Sequence, residues 1–262
     1  VFLRVYLEFS DQMNNKLYEQ LKGIAVSFNN KFLDHISIDC VVFGYHDKNL
    51  KVLLTHLKNA EAWGLPGGFV RKNLSLQDAA IDILKKRTGA ENIFLHQFKA
   101  FGELDRTSKI YKDMPDDLWF KQRFISLGYY ALVDYQDVEV EKDSLSDAVE
   151  WHDISEIPEM MMDHGQILQE ALVQLRKDLN YKPVGLNLLP EKFTMPELQI
   201  LYEIILCKKL NRGNFYRKMI NYKILEKLDE TRKGGAHKSP DLYSFNIENY
   251  NKAMEDGFKE SW

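Results

Sequence analysis

The first 180 residues alternate between two hydrophobic spacings. Apolar, β-branched runs at ISIDCVVFGY (36–45) and LKVLLTHL (50–57), joined by the polar HDKN, predict a β-hairpin. The same strand-like character recurs in three later segments, ENIFLHQFKAFGEL, RFISLGYYALVDY and DAVEWHDISEIP. The segment between the first two, RTSKIYKDMPDDLWFKQ, predicts a long loop or lid. Helical spacing appears in residues 11–28 and again after Asp163 and Gln166, which form a D-x-x-Q capping pattern for a helix to about residue 180. These elements describe an α+β domain.

The pattern changes after the proline- and glycine-containing YKPVGLNLLPEKF, which predicts a linker. Thr194 and Glu197 form a T-x-x-E capping box with Pro196 in the first turn of an amphipathic helix. A second helix is expected from residue 211 to residue 220, with Phe215 and Met219 facing inward, and KILEKLDETRKGGAHKSPDLYSFN predicts strand, basic glycine turn and strand. Helix, turn, helix and two-stranded ribbon is the order of a winged helix.

We therefore predict two domains with flanking segments. They are an N-terminal helical extension (1–35), an α+β domain (36–180), a linker (181–193), a winged helix-turn-helix domain (194–250) and a tail (251–262).

Composition adds constraints on location and chemistry. The chain has no apolar run of the roughly 18–20 residues needed to cross a membrane, and its opening VFLRVYLEFS has no basic leader or cleavage site. We expect a cytoplasmic protein without a membrane partner. Cys40 and Cys207 are the two cysteines, too few for a disulfide framework or a four-cysteine zinc site.

The net charge of -4 conceals an asymmetry. Residues 207–240 contain ten basic and three acidic side chains, a local charge of +7 that leaves -11 for the rest of the chain. A basic segment on an acidic body favours an anionic partner, although many such segments are only solvated faces.

One stretch carries candidate chemistry: LPGGFVRKNLSLQDAAIDILKKRTG, from Leu65 to Gly89. It contains a glycine turn at Gly67 and Gly68, a helix start at Ser75 and a closing Gly89. With the 21-residue separation of Gly68 and Gly89, this stretch resembles the Nudix box. In that family, a helical glutamate and two more at three and four positions on hold Mg²⁺ against a diphosphate.

This sequence departs from the Nudix pattern at its ligands. The three glutamate positions hold Ile83, Lys86 and Arg87, the box arginine is Asp82, and the loop glutamate is Leu74. Two cations and an isoleucine do not bind a divalent metal, so we expect a ligand pocket without catalytic residues, metal or cofactor. The alternative is a Nudix hydrolase of nucleoside diphosphate derivatives that has relocated its metal ligands to acids elsewhere. The candidates for these are Glu103, Asp105, Asp113, Asp116 and Asp117.

A Nudix-type α/β/α sandwich followed by a winged helix is similar to the Nudix-related transcriptional regulators of bacteria. The resemblance runs from about Lys31 to Tyr250 and includes the linker phrase PVGLNLLP and the segment GNFYRK. It implies a homodimer that binds double-stranded operator DNA and responds to a small effector, ADP-ribose in one branch and a pentose sugar in another.

Candidate DNA-binding residues follow from the helix-turn-helix, whose second helix reads bases in the major groove while basic neighbours contact phosphate. Arginine and asparagine are suited to bidentate base contacts. The candidates on the helix and the wing are Arg212, Asn214, Arg217, Lys218, Arg232, Lys233, His237 and Lys238. A third class, in which the basic face meets an acidic protein, also fits the charge.

Candidate ligand-binding residues lie on the strands, the lid and the box helix. They are Phe101, Glu103, Arg106, Trp119, Arg123, Lys86 and Arg87. Glu103 and Arg106 are expected to bond hydroxyls or a phosphate, and Trp119 to cover a sugar ring. A phosphate-bearing ligand would favour the region of Lys86 and Arg87, whereas a neutral pentose would not need it.

Overall fold

The computed structural model describes residues 30–57, 63–90, 93–104, 106, 119, 122–138, 146–232 and 239–258. The helix predicted at 11–28 and most of the lid lie outside these residues. The described strands are β1 (Phe32–His46), β2 (Asn49–Leu57), β3 (Trp63–Gly64), β4 (Gly67–Arg71), β5 (Phe94–Phe101), β6 (Ile125–Leu132), β7 (Ser146–Asp153), β8 (Phe193–Thr194), β9 (Leu225–Thr231) and β10 (Asp241–Phe245). The helices are α1 (Leu76–Thr88), α2 (His164–Tyr181), α3 (Met195–Leu206), α4 (Arg212–Asn221) and α5 (Ile247–Asp256).

Strand β1 organises the first domain because it pairs with three others. Its second half forms the predicted hairpin with β2, with Val42 opposite Leu53, and Asp47 and Lys48 adopt the positive φ angles of a tight hairpin turn. Its first half is antiparallel to β4 and parallel to β6. The mixed sheet has the order β3-β2-β1-β6-β5, with β4 added on β1 and β7 on β2.

Helix α1 covers one face of this sheet. It begins as predicted after Ser75, whose hydroxyl accepts a hydrogen bond from the backbone N–H of Asp78 at 3.1 Å. It ends at Gly89, where φ is 64° and the backbone N–H donates to the carbonyl of Lys85. Ala79, Ala80 and Leu84 form its inner face and are buried against β1 and β6.

Helix α2 covers the opposite face and begins where the capping pattern placed it. The predicted capping bond is wrong, however, because the Asp163 side chain makes no hydrogen bond to the helix backbone. Its carboxylate binds Arg106 instead. A buried arginine is a stronger partner for an anion than a backbone N–H, so a tertiary contact replaces the local one.

The second domain has the predicted helices. Thr194 and Glu197 form the capping box of α3, and Asn211 caps α4. The predicted two-stranded ribbon is a three-stranded sheet of order β8-β10-β9, because Thr194 pairs with Leu242. Helix α5 crosses the predicted boundary at residue 250 and continues to Asp256. Across the described segments, no helix has the length and apolar character required to span a membrane.

The two domains share one hydrophobic core. Leu175 and Leu179 on α2 are fully buried in the same cluster as Leu201 and Tyr202 on α3. The cluster continues through β1, β2 and β6 on one side and through α4, β10 and α5 on the other. Helix α2 therefore belongs to the packing of both domains.

Candidate functional site

The box helix carries Ile83, Lys86 and Arg87 at the three positions where the family has glutamates. Ile83 packs against the glycine turn, since a Cβ on Gly68 would lie 3.2 Å from its side chain. Lys86 Nζ lies 2.6 Å from Asp82 Oδ2, one helical turn away. Asp82 thus occupies the position where the family has an arginine, and Lys86 occupies one where the family has a glutamate. The two charges are therefore inverted relative to the family pattern.

Arg87 is directed to the sheet rather than to the glycine turn. Its guanidinium donates a hydrogen bond to Ser146 Oγ at 3.3 Å at the start of β7. Lys86 and Arg87 therefore both have protein partners, and Lys86 has a neighbouring negative charge that reduces its attraction for phosphate.

Of the acids proposed as relocated metal ligands, Glu103 alone lies within the described ranges. No group of three or more His, Cys, Asp or Glu side chains in these ranges is arranged to hold a metal ion. Glu103 is exposed just after β5. Asp105, Asp113, Asp116 and Asp117 lie outside the residues described.

A buried ionic cluster lies beside the glycine turn and includes one predicted ligand residue, Arg106. Its guanidinium binds Asp163 through two hydrogen bonds of 2.9 Å and Asp39 through one of 3.1 Å. Asp39 also accepts a hydrogen bond of 2.6 Å from Ser126 Oγ. Burial alone would lower the pKa of Arg106, but the hydrogen bonds and charges of Asp163 and Asp39 outweigh it and raise the pKa.

His164, the first residue of α2, completes this cluster. Its Nδ1 accepts a hydrogen bond of 2.9 Å from the backbone N–H of Leu65, in the glycine turn. Burial lowers the pKa of His164 and favours the neutral ring. A neutral ring that accepts at Nδ1 carries its proton on Nε2, which lies 3.7 Å from Asp39 Oδ1. This geometry gives His164 a structural role, because it joins the start of α2 to the glycine turn.

Gly67 shows how tightly the turn fits over this cluster. A Cβ there would lie 2.7 Å from the carbonyl oxygen of Ile38 and 2.8 Å from Asp39 Oδ1. Asp39 and Ser126 were not among the predicted site residues. The available signal was a polar residue within an apolar strand pattern, Asp39 in ISIDCVVF and Ser126 in RFISLGYY.

The other predicted ligand residues do not meet at one point. Phe101 is buried, whereas Glu103 and Arg123 are exposed near the end of β5, where Arg123 donates a hydrogen bond of 2.9 Å to the carbonyl of Gly102. Trp119 is 5% exposed, and its ring centroid lies 4.8 Å from those of Phe69 and Phe124. Its ring packs against protein in this structure, and the expectation that Trp119 covers a sugar ring stays a prediction.

Helix α4 presents the predicted polar face. Arg212, Asn214 and Arg217 are exposed, whereas Phe215 and Met219 are buried in the domain core. Arg217 donates a hydrogen bond to the side-chain oxygen of Asn214, which holds the two side chains together on the outer surface.

The remaining predicted DNA-binding residues differ in position. Lys218 is half-buried on the flank of α4. Arg232, just after β9, pairs with Glu197 at the start of α3 at 2.9 Å. It therefore joins the end of β9 to α3 while its charge remains partly exposed. Lys233, His237 and Lys238 lie outside the described residues.

Glu203 fixes the turn between α3 and α4 and was not predicted. Its carboxylate accepts hydrogen bonds from the backbone N–H of Leu210 at 2.9 Å, from Gln199 at 3.0 Å and from Lys209 at 2.9 Å. These bonds, the Leu210 bond first, lower the pKa of Glu203 to about 2. The carboxylate therefore holds α4 in its orientation relative to α3.

These features define a class of protein in which a Nudix-type sandwich without box carboxylates continues into a winged helix with an exposed, cationic second helix. Comparison with known proteins agrees. The NUDIX domain model matches residues 33–171, and the NrtR DNA-binding winged helix domain model matches residues 185–245. The chain belongs to the family of Nudix-related transcriptional regulators.

Individual relatives resemble the chain over most of its length. An Acinetobacter baylyi protein named ADPR responsive transcriptional repressor NtrR is 27% identical over 222 residues, covering 82% of this chain and 83% of that protein. The crystal structure of Shewanella oneidensis NrtR is 26% identical, with a TM-score of 0.71 over 87% of this chain and 100% of that one. The same protein complexed with a 27mer DNA matches with a TM-score of 0.72 and the same identity and coverage.

The Glu203 clamp generates a prediction about acid stability. Because the folded-state pKa of about 2 lies below the ordinary value of 4.5, ionised Glu203 stabilises the fold fully above pH 4.5. That contribution is lost as the pH falls toward 2. Glu203→Gln should lower the free energy of unfolding at pH 7, and the difference from the unmodified protein should shrink through this window. Urea unfolding at several pH values measures it, with the exposed Glu191→Gln as control. A difference independent of pH would contradict the assignment.

Proposed function

We propose that this chain is a bacterial transcriptional repressor that binds operator DNA through α4 and the wing, and that a metabolite bound by the Nudix domain controls this binding. The observation that carries the proposal is the exposed, cationic face of α4 on a winged-helix frame. The DNA-bound Shewanella relative supports the same use of the domain. Operators read by such domains are commonly paired half-sites, which is consistent with a homodimer.

The proposed effector is ADP-ribose or a closely related molecule. The Acinetobacter relative is named for its response to this compound. The inverted charges of Asp82 and Lys86 and the packing of Ile83 on Gly68 remove the metal ligands that would lead to hydrolysis. A bound nucleotide sugar would then persist as a signal. A pentose sugar is the competing effector.

The contacts of α2 supply a route from the ligand domain to the DNA-binding domain. At one end His164 holds the glycine turn and Asp163 holds Arg106. The helix has eighteen residues and is roughly 27 Å long. Near its other end, Leu175 and Leu179 are buried in the same cluster as the apolar residues of α3. There Arg176 Nε donates a hydrogen bond of 2.8 Å to the carbonyl of Ile205. A shift of the turn is expected to move α2 and, through it, α3 and α4.

The first test of DNA binding substitutes a residue on the exposed face of α4. Arg217→Ala should abolish the preference for a duplex selected in vitro, because the guanidinium and its Asn214 partner are placed to contact bases. One lost base contact corresponds to about 1–3 kcal/mol. Fluorescence anisotropy over a range of salt concentrations measures affinity and slope. Lys177→Ala on α2 is the control. Absence of salt-dependent duplex binding by the full chain would favour an acidic protein as partner.

The ligand response is tested as a coupling between two sites. We expect ADP-ribose to weaken operator affinity by a factor of about 5–150, the common range for allosteric coupling. Arg176→Met should reduce that factor without changing the affinity for ADP-ribose in the absence of DNA, because it alters only the junction of α2 and α3. Calorimetry and anisotropy give the two affinities, and Lys177→Met in the same helical turn is the matched control.

Two outcomes of the coupling experiment separate its parts. If the unmodified protein binds ADP-ribose with no change in operator affinity, the proposed effector control is wrong. If the response is present and Arg176→Met leaves it intact, the route through α2 is wrong. Arabinose and xylose, titrated in parallel, distinguish the pentose alternative.

The hydrolase alternative leads to a separate measurement. With Mg²⁺ or Mn²⁺, we expect turnover of ADP-ribose, NADH and nucleotide sugars far below the roughly 1 per second that is common for enzymes. The reason is that the box positions supply an isoleucine and two cations. Turnover in the enzymatic range that is lost in Glu103→Gln would establish relocated metal ligands instead.

A further inference from the structure

A cleft of about 610 Å³ opens between the start of α3, the N-terminal half of α4 and strand β10. Its lining includes Gln199, Arg212, Gly213, Tyr216 and Tyr243. Gly213 leaves this part of the cleft open, since a Cβ there would meet, among the described residues, only Asn211 Oδ1, at 3.5 Å. The cleft lies on the flank of α4 that faces β10. This flank is next to the outward face that carries Asn214 and Arg217.

Two tyrosines, Tyr216 on α4 and Tyr243 on β10, line this cleft. Tyr216 is 45% exposed, whereas Tyr243 is 3% exposed. Burial, and then a side-chain hydrogen bond to Tyr216, raise the pKa of Tyr243 to about 12, so its hydroxyl keeps its proton at neutral pH. A phenol both donates and accepts one hydrogen bond. If Tyr243 donates to Tyr216, the Tyr216 hydroxyl has its own proton to offer toward the cleft.

The charges around the pair favour an anion. Arg212, four residues before Tyr216 on α4, is exposed at the cleft. Lys227 on β9 pairs with Asp241 at 2.8 Å, and these two charges balance each other. Arg212 therefore leaves the cleft with a net positive charge.

We propose that the Tyr216 hydroxyl, oriented by Tyr243, contacts a DNA phosphate beside the bases approached by Asn214 and Arg217. This assignment rests on the proposed DNA binding and names a contact that the charge pattern of the sequence does not indicate, because tyrosine is neutral. Contacts to phosphate set the position of a protein on the duplex without reading sequence. Tyr243 acts through Tyr216 and is a positioning residue.

The test uses the full chain, with Tyr216→Phe and Tyr243→Phe as variants. Tyr181→Phe, whose ring is 56% exposed on α2, is the control. Tyr216→Phe should weaken binding to a selected duplex and to a scrambled duplex by a similar factor of about ten, or ~1.4 kcal/mol. The salt dependence should stay unchanged, because the lost contact is neutral. Arg212→Ala should instead lower the log-log salt slope by about 0.9.

The double variant identifies the role of Tyr243. If Tyr243 acts by orienting Tyr216, then Tyr243→Phe weakens DNA binding alone but adds nothing in the Tyr216→Phe background. Additive losses would show that Tyr243 acts independently and would overturn its positioning role. Thermal unfolding of each variant separates loss of contact from loss of structure.

Three results of the binding measurements have different meanings. Unchanged affinity of Tyr216→Phe would refute the phosphate contact. A loss confined to the selected duplex would also refute it, since the hydroxyl would then read a base. Failure of the unmodified protein to bind any duplex would refute the proposed function itself. Normal binding by the unmodified protein and by Tyr181→Phe would assign a loss seen in Tyr216→Phe to the missing hydroxyl.

Discussion

The structure depends on the burial of the apolar face of α2, which serves two domains at once. Ile167 and Leu168 pack under the sheet of the first domain, while Leu175 and Leu179 lie in the same cluster as Leu201 of α3. Burial of each such side chain is favourable by roughly 1.5–3 kcal/mol. The helix cannot shift against one domain without disturbing its packing against the other, so the mutual position of the two domains is a property of the core.

Polar contacts at the two ends of α2 give this packing a defined register. At the first end, Arg106 lies between Asp39 and Asp163, and His164 binds the glycine turn. Hydrophobic packing alone tolerates small displacements, whereas buried charges are stable only with their partners in place. The cluster therefore ties the position of α2 to the geometry of the glycine turn.

In the box helix, the residues that the fold requires are different from those that a metal-dependent reaction would require. Gly67, Gly68 and the buried alanines of α1 maintain the turn and the helix-on-sheet packing, and these steric demands remain when the metal ligands are gone. The exchange of charges between Asp82 and Lys86 preserves an ion pair one turn apart on the surface. The frame is therefore explained by packing and does not depend on carboxylates at positions 83, 86 and 87.

The sequence by itself determined the elements whose causes are local: the hairpin at 36–57, the capped helix after Ser75, the capping box at Thr194 and the inward pair Phe215 and Met219. It also indicated the family, because glycine spacing and helix caps are read along the chain. The tertiary structure decided which polar groups meet. The Asp163 carboxylate binds Arg106 instead of capping the helix, Trp119 packs in an aromatic cluster, and Asp39 binds Arg106 and Ser126. Such contacts join residues distant in sequence and depend on burial that no local pattern specifies.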